Sequence, residues 1–236
     1  MFLDSYVQKT AKPALVMLLL DVSGSMAGDK INTLNSSLRE MLKTFVSETN
    51  TLIKVAIITF GLNGAKQICD FVNSDTIEFK NLQADGGTPL GEALTLAKNI
   101  IEDTNQTPKR AYRPIVVLVS DGAPNDEWEQ PLEDFIKEGR TSKTQRLALA
   151  IGSDADKDML KMFIEGSANG RLFVAEDGDA TKIVDFFKFV TQSTLTVSQK
   201  IPKKPLLNNN NENIKTETKE QKEQEKNDNK DEEPEW

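Results

Sequence analysis

Four short segments of this chain, residues 15–20, 53–60, 115–119 and 147–151, are nearly continuous runs of Val, Ile, Leu and other apolar residues. A strand with one face in water alternates polar and apolar side chains, so a run without alternation has to be covered on both faces. That requirement predicts the strands of a buried, mostly parallel sheet. Between the runs, apolar residues recur every three or four positions: Ile31, Leu34, Leu38, Met41, Leu42 and Phe45, then Leu90, Ala93, Leu94, Ala97 and Ile101. Such spacing puts them on one stripe of a helix that can pack on the sheet. Further helices are predicted over 128–139, 157–165 and 179–192.

One stretch interrupts the alternation. After Phe60, residues 61–65 read as a turn and 66–72 as a strand with no helix before it, which predicts a hairpin and an antiparallel edge strand. Residues 171–175 supply a sixth strand. The elements then run strand, helix, strand, strand, helix, strand, helix, strand, helix, strand, helix. This order predicts an α/β, three-layer, Rossmann-like fold: a mostly parallel central sheet, one antiparallel edge strand and helices on both faces.

The chain has 236 residues, enough for one large domain or for a domain and a tail. Composition divides it near residue 198. From Asn208 to Trp236 there are five Lys and ten acidic residues, so −5 of the formal net charge of −8 lies there. Such a segment has little to bury and is expected to be a disordered, low-complexity tail over 198–236. The folded domain is expected over 1–197, with its core from about 10 to 196. The acidic balance argues against nucleic acid and against an anionic membrane surface as partners. The longest apolar run, 14–20, is far shorter than the roughly 20 residues needed to span a bilayer.

With His 0 and Cys 1, the sequence has no imidazole for a Ser-His-Asp triad and no thiolate cluster for structural zinc. The lone Cys69 is read as a small apolar filler, and together with an N-terminus lacking a secretory layout it leads to an expected cytoplasmic location. In open α/β sheets, sites form beyond the carboxyl ends of the strands. Three segments at such positions are rich in side-chain oxygen: Asp21-Val-Ser23-Gly-Ser25 after the first strand, Asp85-Gly-Gly-Thr88-Pro before the second long helix, and Ser120-Asp121-Gly-Ala-Pro-Asn-Asp126 after the fourth strand. Asp21, Ser23, Ser25, Thr88 and Asp121 offer carboxylates and hydroxyls with no nitrogen or sulfur, a donor set for a hard cation. Mg2+ is the expected ion, with Mn2+ or Ca2+ as alternatives. Ordinary loop roles stay open: Ser and Asp bond backbone amides in turns, and Thr88 can serve as an N-cap with Pro89 at the first helical position. Pro124, Asn125 and Asp126 read as the start of the next helix; Trp128 reads either as packing there or as an exposed aromatic near the ion that anchors a partner.

The set Asp21-x-Ser23-x-Ser25, Thr88 and Asp121 resembles the metal-ion-dependent adhesion site of von Willebrand factor type A domains, over roughly residues 10–196. The resemblance implies a binding module rather than an enzyme, in which the ion accepts a Glu or Asp carboxylate from a partner protein. The segments LLLDVSGSM and SDGAPND look closest to bacterial TerY-like proteins of the tellurium-resistance type, which implies a stress-response or phospho-signalling setting and a kinase or phosphatase as partner. The alternative is a metal-assisted phosphohydrolase or a phosphoacceptor built on Asp21. Against it, a haloacid-dehalogenase-type enzyme needs a second Asp at the position of Ser23, and no base stands nearby.

Overall fold

The computed structural model describes residues 12–199. Its strands are β1 (Ala14–Asp21), β2 (Ile53–Gly61), β3 (Gly64–Asn73), β4 (Ile115–Ser120), β5 (Gln145–Ile151) and β6 (Arg171–Ala175). They form one sheet in the order β3-β2-β1-β4-β5-β6. Every pairing is parallel except β2 with β3, the edge hairpin expected from the missing helix. That hairpin closes through Leu62 and Asn63, with Asn63 and Gly64 at φ 64° and 88°.

The helices are α1 (Asp29–Ser47), α2 (Leu90–Glu102), α3 (Glu129–Lys137), α4 (Lys157–Ile164) and α5 (Ala180–Gln199). α1 and α5 cover one face of the sheet; α2, α3 and α4 cover the other. β1 lies between the two cores, and no residue in it is more than 3% exposed. Ala14, Val16, Leu18 and Leu20 point to the α1/α5 side, while Leu15, Met17 and Leu19 point to the α2/α3/α4 side. Each large apolar side chain buried this way contributes roughly 1.5–3 kcal/mol relative to exposure. The unbroken apolar run is therefore two alternating sets, one per core.

α5 runs seven residues beyond the expected end at Gln192. The polar string from Thr191 looks like a helix end, but the Thr191 and Thr194 hydroxyls donate to the carbonyls of Phe187 and Val190 at 2.8 and 2.9 Å. Their polar atoms are satisfied inside the helix, so α5 keeps packing on α1. Cys69 is half-buried against the α1/α5 core, and burial pushes its thiol pKa up. Of the expected tail, only the backbone of 198 and 199 falls among the described residues. No helix among the described residues is long and apolar enough to cross a membrane.

β1 feeds α1 on one face and β4 feeds α3 on the other. Their carboxyl ends lie side by side, with Leu20 opposite Val119, so the chain diverges there to both faces and leaves a crevice.

Candidate metal centre

Asp21 is the last residue of β1 and Ser120 the last of β4, so the parallel register brings them together. The Ser120 hydroxyl donates to Asp21 Oδ2 at 2.7 Å, and the Ser23 amide donates to Asp21 Oδ1 at 2.8 Å. Asp21 is 0% exposed. Burial drives its carboxyl pKa above the ordinary value; the bonds from Ser23 and Ser120 pull it back, and the nearby Asp121 charge adds to the rise. An environment that penalises negative charge in this way is relieved by a cation.

Beyond Asp21 the chain turns through a short 3-10 helix, Gly24–Met26. The Ser23 and Ser25 hydroxyls lie 3.0 Å apart, and Ser25 Oγ donates to Asp121 Oδ1 at 2.7 Å. Asp121, also 0% exposed, receives the Lys30 ammonium on Oδ2 at 2.7 Å. Thr88 reaches the same place, since a Cβ added at Gly122 would lie 3.9 Å from both Ser25 Oγ and Thr88 Oγ1. The five oxygen-bearing side chains singled out in the sequence are thus gathered at one end of the crevice.

Backbone bonds hold the three loops together. The amides of Gly24 and Asp85 donate to the carbonyls of Gly86 and Val22 at 2.9 and 2.8 Å, and Leu62 N–H donates to Asp85 O at 2.8 Å. This close approach requires glycine at 86: its φ is 81°, and a Cβ there would stand 2.5 Å from Leu62 Cα. Thr88 N–H donates to Asn125 Oδ1 at 2.9 Å, and Asn125 N–H returns to Thr88 O at 3.1 Å.

The structure differs from two local expectations. α2 starts at Leu90 with Pro89 in the cap position, and no side chain of residue 89 or 88 caps it. Instead Asp126 reaches across from the β4 loop, and its two carboxylate oxygens accept the Gly91 and Glu92 amides, each at 3.1 Å. Asn125 and Asp126 therefore do not begin the next helix; α3 begins at Glu129, with Trp128 before it partly buried against the α2/α3/α4 core. Sequence reasoning passed over Ser120 and Lys30. Ser120 sits in an apolar strand and Lys30 in the first turn of a helix, and only the fold brings them against partners that lie 99 and 91 residues away in sequence.

Two fully buried carboxylates with one ammonium leave a net negative charge among oxygen donors. Among the described residues no three His, Cys, Asp or Glu side chains cluster to hold a metal, so a bound ion would draw on the hydroxyls and on water besides the two carboxylates. Carboxylate and hydroxyl oxygens without nitrogen or sulfur fit a hard divalent ion that keeps some of its water.

The von Willebrand factor type A domain model matches residues 16–188. Human inter-alpha-trypsin inhibitor heavy chain H4 is 23% identical over 199 residues, covering 79% of this chain and 21% of the relative. The chain spans about a fifth of the length of such curated relatives. A von Willebrand factor type A structure from Catenulispora acidiphila superposes with a TM-score of 0.61 at 17% identity, covering 79% of this chain and 43% of that one. Proximal thread matrix protein 1 from the mussel byssus, with a zinc-occupied MIDAS motif, gives 0.58 at 16% identity, over 79% and 46% of the two chains. At these identities the structural likeness is one of fold. The chain belongs to the von Willebrand factor type A domain family.

Proposed function

We propose that this domain binds a divalent cation in the crevice beyond β1 and β4 and thereby recruits an acidic residue of a partner protein. The observation that carries this reading is the gathering of two fully buried carboxylates and three hydroxyls from three loops at one point. Asp21, Ser23, Ser25, Thr88 and Asp121 would hold the ion, with Mg2+ the expected occupant and Mn2+ or Ca2+ as alternatives. Bound there, it supplies positive charge and an open coordination position for a Glu or Asp carboxylate of the partner. The chain's own part is to hold its oxygens in place: Ser120 and the Ser23 amide orient Asp21, Ser25 orients Asp121, and Asn125 fixes the backbone of Thr88.

The domain acts without catalysis in this reading. Asp21 is 0% exposed with both oxygens engaged, which disfavours it as a phosphoacceptor, and no imidazole exists to serve as base. The reading extends to a bacterial cytoplasmic stress-response or phospho-signalling system with a kinase or phosphatase as partner. The likeness of LLLDVSGSM and SDGAPND to TerY-like proteins and the lone cysteine support it.

Calorimetric titration with Mg2+ should give one site in the wild type and no measurable binding in Asp21→Ala, and a partner captured in Mg2+ should be released by EDTA. Equal Mg2+ binding by the variant would sink the reading.

A further inference from the structure

We propose that Lys30 is a tethered counter-cation of the metal centre: it competes with the divalent ion for Asp121 and, as a positioning residue, keeps the ligand loops ordered in the metal-free domain. The inference rests on the reading of the crevice as a cation site. Its basis is the 2.7 Å contact between the Lys30 ammonium and Asp121 Oδ2, with Ser25 on the other oxygen. Asp121 is thereby paired on both oxygens, and half of the pairing is a full positive charge.

Three observations give the contact this role. Lys30 is the second residue of α1, at the positive end of the helix dipole, where a cation is locally unfavourable. Local helix energetics therefore do not explain a lysine there; the tertiary partner does. Gly28, at φ 84°, turns the chain into α1 immediately before it. Second, the Lys30 side chain is 27% exposed while Asp121 is 0% exposed, so the ammonium is the member of the pair that can leave. Third, a second carboxylate waits beside it. A Cβ at Gly152 would stand 3.4 Å from Lys30 Nζ and 2.5 Å from Asp177 Oδ1, so the ammonium and Asp177 border the same small space. Glu176 and Asp179 line the cleft of about 320 Å3 that also includes Lys30. A displaced ammonium thus keeps an acidic setting, and displacement does not strand a charge.

A positive charge on a ligand carboxylate opposes a divalent cation at the same group, so its removal strengthens metal binding while weakening the metal-free fold. Lys30→Met and Lys30→Gln should bind Mg2+ about tenfold more tightly than wild type, a change on the scale of outer-shell residues at metal sites. Their melting temperatures in EDTA should fall, and the rise on adding Mg2+ should exceed that of wild type. Lys30→Arg, which keeps the charge, should bind Mg2+ much as wild type does. Unchanged or weaker Mg2+ affinity in the neutral variants would overturn the competition while leaving the cation site in place. Absence of Mg2+ binding by wild type overturns both. Should the neutral variants fail to fold, the wild-type protein decides: the Lys30 ammonium NMR signal should shift along the Mg2+ titration with the binding midpoint, and a stationary signal would overturn the proposal.

Discussion

Asp21 shows how one residue at a strand end can be both costly and useful. A buried carboxylate needs partners, and here a hydroxyl and an amide serve it from within hydrogen-bonding distance. The Ser120 hydroxyl both lowers that cost and aims the carboxylate. Ser120→Ala should weaken Mg2+ binding about tenfold, as loss of a supporting residue behind a metal ligand does. Stability should fall by about 1 kcal/mol for the lost buried hydrogen bond. Calorimetry and urea denaturation read the two effects separately, and a stability loss with unchanged affinity would reduce Ser120 to packing. The five residues gathered in the crevice were legible because Asp21, Ser23 and Ser25 lie within five residues and Thr88 and Asp121 sit beside recognisable Gly and Pro turn signals. Ser120 and Lys30 were not, because nothing local in an apolar strand or a polar helix turn identifies a distant partner.

At the scale of elements, unbroken apolar runs marked β1, β2, β4 and β5 because these strands are covered on both faces, and helical stripes marked α1 and α2; β3, mostly exposed at the sheet edge, was legible only from the missing helix before it. Ends were harder to read. Asn125 and Asp126 after Pro124 carry the local signature of a helix start, yet Asp126 caps a different helix 35 and 34 residues away from it in sequence. That cap joins the loop carrying Asp121 to the helix that follows Thr88, so it also sets the distance between two ligand loops. Asp126→Ala should lower stability by about 1 kcal/mol, the usual worth of an N-cap. The same variant should reduce Mg2+ affinity several-fold, on the scale of outer-shell support. Denaturant midpoints and metal titration of the same variant check both; an affinity loss absent beside a full stability loss would mean that the two loops are positioned independently. The far end of α5 was missed for the converse reason: Thr191 and Thr194 look solvent-bound in sequence but satisfy themselves within the helix.

Across the whole molecule, two cores share one sheet, and β1 belongs to both. Charge buried elsewhere is handled without a carboxylate: Arg146, 0% exposed, donates to the carbonyls of Phe163, Glu165, Thr141 and Ser142 and ties the end of α4 to the loop before β5. Around the crevice the arrangement is the reverse, with two buried carboxylates and one partly exposed ammonium. This asymmetry makes the crevice the place where the fold calls for an added cation. The most direct measurement is anomalous diffraction from crystals of the protein grown with Mn2+. The account predicts a peak bounded by Asp21, Ser23, Ser25, Thr88 and Asp121, with the Lys30 ammonium withdrawn from Asp121 Oδ2. A crevice without a peak, or Mn2+ bound only elsewhere while Lys30 still holds Asp121, would contradict it.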